Sequence, residues 1–209
     1  MAIMPRARLT AAERRRRIIE SAVKVFAKFG CDGARTRQIA EACGVNEAIL
    51  YKHFPSKEAL FIEAMTQTHE ESSRRWDEIA QEAPNCLEAI RSIYVGRVKV
   101  VYTNPPMAAN VIHGAAMTTR DPGMLELGRS WFLEAHNFVR ALIEKGIEDG
   151  SVRPDLDVLG TVYWLRSFSW FTNVVVMLGL QDHLTCEKAS EMLSEFIDGI
   201  ARDSGPRVQ

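Results

Sequence analysis

The stretch Thr36-Arg37-Gln38-Ile39-Ala40-Glu41-Ala42-Cys43-Gly44-Val45-Asn46-Glu47-Ala48-Ile49-Leu50-Tyr51 decides the fold. Ala40 is small where two helices have to cross closely. Gly44 tolerates the positive φ of a tight turn. Ile39, Val45, Ile49 and Leu50 supply the apolar faces that pack a second helix on a first. Thr36 and Asn46 are N-cap residue types and stand where the two helices begin. The pattern predicts short helices over about 36–43 and 46–52, a helix-turn-helix.

Upstream, Ile18, Ile19, Ala22, Val23, Phe26 and Ala27 form one apolar stripe at helical spacing. Thr10-x-x-Glu13 ahead of it has the form of a capping box, and Gly30 stands where a C′ residue ends a helix. A first helix over about 11–29 follows. Downstream, Pro55 breaks the chain and Ser56 can cap a fourth helix from Lys57 to about Ala80. Beyond Pro84 five more helices are expected, over about 86–102, 107–118, 121–149, 155–179 and 186–203. Asp121-Pro122, Asp155 and Thr185 mark the last three starts. β-Branched alternation never runs far outside helical context. The class is all-α, with about nine helices.

The chain has 209 residues and a formal net charge of −1. That sum conceals an asymmetry: residues 1–58 hold twelve Lys/Arg against six Asp/Glu, a net of +6, which leaves −7 for the rest. A basic head on an acidic body points to two jobs, one of them with a polyanion. The four cysteines, Cys31, Cys43, Cys86 and Cys186, form no C-x-x-C pair, which argues against a zinc site, a redox pair or a disulfide scaffold. The arginines near the start precede no apolar run of signal-peptide type. The longest apolar stretch, Phe168–Leu180, carries Ser169, Thr172 and Asn173 and reads as a buried helix rather than a membrane span. No nucleophile–base set, phosphate loop or metal set is present, so no catalytic, metal or cofactor residue is assigned.

Immediately after the helix-turn-helix comes Tyr51-Lys52-His53-Phe54-Pro55-Ser56-Lys57-Glu58-Ala59-Leu60. The whole of 14–63 resembles the tetracycline-repressor (TetR/AcrR) family of transcriptional regulators. The matching elements are the stripe ending Phe26-Ala27-x-x-Gly30, then Thr36-x-x-Ile39-Ala40-x-x-x-Gly44-Val45, then Leu50-Tyr51-x-x-Phe54-x-x-Lys57-x-x-Leu60. The resemblance implies a basic arm at 1–11, a DNA-binding domain at 12–72 with its motif at 35–54, and an effector-binding and dimerisation domain at 73–209. It also implies that the second motif helix enters the major groove. Asn46, Glu47 and Ala48 would then face base edges. Asn46 reads first as a helix cap, with base contact secondary. Glu47 has two open readings: acceptor from a cytosine amino group, or favourable charge at a helix N-terminus. Thr36, Tyr51, His53 and Lys57 match positions that touch phosphates in the family; Arg35, Arg37, Gln38 and Lys52 are further DNA-contact candidates. Arg14–Arg17 suit an electrostatic role, and Arg6 and Arg8 can serve DNA or solvent.

By the same resemblance the last two helices dimerise. Leu159, Tyr163, Trp170, Phe171, Phe196 and Ile200 are the candidates for that interface. The helices over about 86–150 would form the effector cavity. Tyr102, Asn110, His113, Trp131, Phe132, His136, Trp164 and Phe168 are candidate lining residues, each of which reads first as core, a satisfied histidine or an aromatic filling volume. A mostly apolar pocket implies a small hydrophobic or aromatic effector. The expected protein is a cytoplasmic homodimeric repressor of palindromic double-stranded operator DNA, with no membrane role. The alternatives are an activator of the same fold, or a helical small-molecule-binding protein or enzyme without a DNA role.

Overall fold

The computed structural model describes residues 10–119 and 121–202. Arg6 and Arg8 therefore lie outside the described residues, as does the expected end of the last helix at 203. Nine helices occur among the described residues: α1 (Ala11–Gly33), α2 (Thr36–Cys43), α3 (Glu47–His53), α4 (Lys57–Glu82), α5 (Cys86–Thr103), α6 (Pro105–Met117), α7 (Pro122–Glu148), α8 (Val158–Met177) and α9 (Cys186–Ile200). The chain divides into two compact units, Met1–Thr68 and His69–Gln209, with the boundary inside α4.

The first unit follows its local signals closely. Thr10 and Glu13 form the expected capping box on α1. Gly30 takes φ 68° and interrupts α1, and the chain resumes one helical turn to Gly33. α2 ends in a Schellman motif: Gly44 sits at φ 71°, its N–H donates to Glu41 O, and the Val45 N–H donates back to Ala40 O over 3.0 Å. Phe26 meets Phe61 edge-on at 5.0 Å, and Ile18, Ile39, Leu50 and Leu60 are fully buried around them. Each such side chain contributes about 1.5–3 kcal/mol by leaving water.

In the second unit, α5, α7, α8 and α9 share one core built on Ile90, Tyr94, Ile143, Val162, Leu165, Leu193 and Ile197. The start of α5 illustrates how completely a helix end can be satisfied. The Cys86 N–H donates to Asp149 Oδ2, Leu87 to Ser151 Oγ, Glu88 to Asn85 Oδ1 and Ala89 to Asn85 O. The Asp149–Ser151 turn is itself clasped to the end of α9: Val152 bridges antiparallel to Ala201, Arg153 N–H donates to Ile200 O, and Arg202 N–H donates to Ser151 O.

Two helix starts differ from the sequence reading. α8 is capped by Asp157, whose Oδ1 accepts from Gly160 N–H, not by Asp155, which lies 3.9 Å from Arg153. α6 begins at Pro105, because proline suits the first helical turn as well as it stops a preceding helix. No helix among the described residues is long and apolar enough to cross a membrane.

Candidate nucleic-acid interface and effector region

Within the first unit, α3 is a short helix anchored on its inner side by Leu50, fully buried, and on its outer side open to solvent at Ala48, Tyr51 and Lys52. Asn46 caps it: its Oδ1 accepts from Ile49 N–H at 2.9 Å, the role sequence reasoning ranked first. Tyr51 is about half exposed. His53 is half-buried in the last turn of α3.

Thr36 does not cap α2. The cap position belongs to Arg35, whose N–H donates to Gln38 Oε1 at 2.9 Å. Thr36 stands one residue inside the helix, and its hydroxyl is free to cross to α3 and donate to Glu47 Oε2 at 2.6 Å. Glu47 thus acquires a third role, a brace between the two motif helices, which neither sequence reading of it included. Gln38 is committed to the Arg35 backbone, and Arg37 is paired with Glu41 at 2.8 Å on the same exposed face. Lys57 Nζ donates to Ala34 O at 3.1 Å and to Asp32 O at 3.4 Å. Two of its three protons therefore satisfy carbonyls at the end of α1 and just beyond it, and the third is uncommitted among the described residues.

The arginine run divides as well. Arg15 Nη1 holds Glu63 Oε1 at 2.6 Å, and its guanidinium lies 4.7 Å over the Phe54 ring. The hydrogen bond from Arg15 holds the Glu63 carboxyl below its ordinary value. Arg16 pairs with Glu20 at 3.5 Å. Arg17 is exposed.

In the second unit the effector candidates part ways. Tyr102 donates its hydroxyl to Leu184 O at 2.8 Å, a structural tie. Trp131 stacks on His69 at 5.0 Å, and His69 Nε2 lies 3.0 Å from Glu134. Asn110 is buried, as is Phe168, which stacks on Trp164. His113 is half-buried with Nδ1 unpartnered. Phe132 and His136 come together with Tyr163: ring centroids are 6.1 Å apart for the first pair and 5.2 Å for His136 and Tyr163. Sequence reasoning missed three residues beside them, Tyr94, Arg97 and Arg166. The signal was there: Arg166 is the only charged residue between Asp157 and Asp182, and Arg97 falls on the stripe Ile90-Tyr94-Val101. No cluster of three or more His, Cys, Asp or Glu able to hold a metal occurs among the described residues.

Of the dimer candidates, Leu159, Tyr163, Trp170 and Phe171 present large apolar area to solvent along α8. Phe196 stacks on Trp164 at 3.5 Å. Ile200 is 3% exposed and packs in the core of the second unit, not on an open face.

Residues 18–64 match the family model of bacterial regulatory proteins, tetR family. The HTH-type transcriptional repressor KstR2 of Mycolicibacterium smegmatis is 25% identical over 166 residues, covering 76% of this chain and 77% of the relative. The HTH-type transcriptional regulator RutR of Escherichia coli is 43% identical over 54 residues, covering 26% of each chain. The solved structure of a transcriptional regulator from Saccharomonospora viridis in complex with choline superposes with a TM-score of 0.79 at 22% identity, over 91% of this chain and 98% of the other. The strongest identity thus falls on the helix-turn-helix, and the fold extends over nearly the whole chain. Residues 18–64 thus match a tetR-family DNA-binding domain, and over most of its length the chain is similar to transcriptional repressors.

Proposed function

We propose that this protein is a homodimeric cytoplasmic repressor that leaves a palindromic operator when a small hydrophobic or aromatic effector enters its second unit. The observation that carries the reading is the outer face of α3, where Ala48, Tyr51 and Lys52 stand exposed on a helix locked from behind by Leu50. A helix held this way can lie in a major groove. In this reading Tyr51, Lys52, His53 and the free proton of Lys57 meet phosphates, with Arg35 and Arg37 at the margin. Ala48 permits close approach to base edges. Thr36, Gln38, Asn46 and Glu47 hold the reading helix in place.

One such helix reads too few base pairs for useful affinity; two related by a dyad read half-sites about 34–36 Å apart. The exposed stripe Leu159, Trp170 and Phe171 on α8 supports self-association, since a helix apolar on two faces needs two partners. Residues 12–72 are assigned to DNA and 73–209 to effector and dimer. An effector needs to change operator affinity by only about 1–3 kcal/mol to act as a switch. The choline of the S. viridis neighbour is that protein's ligand; the effector of this chain is argued below from its own residues.

The test is selection of random duplex DNA on the full-length protein, followed by mobility shifts on the recovered site. A palindromic site is expected, with binding weakened by Tyr51→Phe and Lys52→Ala. Recovery of no preferred sequence would overturn the reading. Sedimentation of Leu159→Glu and Phe171→Glu tests the dimer, and each is expected to yield monomer. An activator shows the same binding, and reporter expression from the recovered site assigns the sign.

A further inference from the structure

Two guanidinium groups stand among the helices of the second unit with no ion pair to a carboxylate among the described residues. Arg97 lies on α5 and Arg166 on α8; Tyr94 and Arg166 act on Arg97, and Tyr94 and Tyr163 act on Arg166. Burial lowers the pKa of both, and the nearby Arg166 lowers that of Arg97 further. Arg91, also on α5, is by contrast paired with Glu88 and Asp198. Holding two like charges half-buried and unpaired carries a desolvation penalty. Such an arrangement is unfavourable unless an anion completes it.

The neighbouring groups describe that anion. Tyr94 is 2% exposed and its Oη has no hydrogen-bond partner; Arg166 Nε and His136 Nδ1 are also buried and unpartnered. All three can present a proton to an acceptor. Arg166 lies 4.3 Å over the Phe132 ring, which stacks on His136, which in turn meets Tyr163. Phe132 and Tyr163 are each about half exposed, so the cluster reaches the surface there. The set is rich in donors and positive charge and is bordered by aromatic rings. It suits a planar oxyanion with an apolar body and is repulsive to a cation.

We propose that Arg97 and Arg166, with Tyr94 and His136, hold the carboxylate of an organic acid whose acyl chain or aromatic ring lies against Phe132 and Tyr163. This deepens the effector reading above and rests on it for its regulatory meaning, but not for the binding itself.

Thermal unfolding of the full chain without DNA tests it, with octanoate and 4-phenylbutyrate as probes, each against its primary amide, and inorganic phosphate as a third arm. At about a hundredfold excess over Kd the carboxylates are expected to raise Tm by about 5–10 °C, and the amides not at all. Arg97→Met and Arg166→Met should each abolish the carboxylate response. Each should also raise the Tm of the ligand-free protein by several degrees, because an uncompensated charge is removed. Amides that match the carboxylates, no response to either carboxylate, a response to phosphate alone, or a lower ligand-free Tm in both variants would overturn the proposal. Operator release is scored separately. A carboxylate that raises Tm without releasing DNA upholds the anion site and removes its role as effector. A neutral compound that releases DNA while the carboxylates leave Tm unmoved upholds release and overturns the anion site.

Discussion

The Thr36 hydroxyl donates to the Glu47 carboxylate across 2.6 Å and so joins the first turn of α2 to the first turn of α3. A short O–H···O⁻ bond of this kind is about twice as strong as a neutral one. The orientation of the reading helix therefore depends on a side-chain bond as well as on the apolar contact behind it. A double-mutant cycle over Thr36→Val and Glu47→Ala is expected to give a coupling of about 1 kcal/mol, the half-buried setting reducing the value for a fully buried charged pair. Hydrogen exchange at the Ile39 and Leu50 amides measures it. A coupling of zero would show that the bond carries no stability.

Lys57 and Lys52 are expected to separate two effects that look alike in sequence. Lys57→Met removes donors from Asp32 O and Ala34 O and should lower stability by about 1 kcal/mol. Lys52→Met lies on the exposed side of α3 and should leave stability within about 0.5 kcal/mol. It should reduce the slope of log Kobs against log salt by about 0.9. Tm and a salt series of mobility shifts read the two quantities independently.

Gly44 has φ 71° and nothing within 4 Å of where a Cβ would stand. Substitution there meets backbone strain alone. Gly44→Ala is expected to cost about 1 kcal/mol, and Gly44→Asn less, because asparagine tolerates the left-handed region. Equal losses in denaturant unfolding would show that space, not conformation, selects glycine.

Asp149 offers a pH signature. Desolvation pushes its carboxyl up, but hydrogen bonds from the Ser151 side chain and from the Cys86 and Ser151 backbones outweigh that and bring it down to about 2. A folded-state value below the ordinary one, about 3.9, contributes stability that is fully present above about pH 4 and is lost as pH falls toward 2. Asp149→Asn should therefore be less stable than wild type by about 1 kcal/mol at pH 7, a figure reduced for solvent screening of an exposed group. The gap should close between about pH 4 and pH 2. Melts at stepped pH check it, and a gap independent of pH would assign the loss to packing.

The helix-turn-helix was legible because each of its signals is local. Thr10, Asn46 and Gly44 act within four residues of themselves, and the structure uses each as its type suggests. Thr36 misled because its partner is eleven residues away on another helix, which no spacing rule reports. Asp155 misled because two aspartates stand within three residues and only the course of the backbone after Pro154 selects Asp157. In the second unit, periodicity identifies which positions share a face but not which face turns inward. Ile200 went to its own core while Phe171 stayed outside. The arginines at 97 and 166 were readable as lone charges on apolar stripes, but a stripe with one charge also describes a surface helix, and only the folded chain shows that no acid among the described residues pairs with them.

The clasp between Val152 and Ala201 bears on how the second unit comes apart. The turn it holds also supplies Asp149 and Ser151 to the start of α5. The beginning of α5, the end of α7 and the end of α9 are thus fastened at one knot. Fraying, which ordinarily starts independently at each helix terminus, is here a shared event. The amides of Cys86, Val152, Arg153 and Arg202 should exchange with a common protection factor, and a deletion ending at Ile200 should release all three ends together.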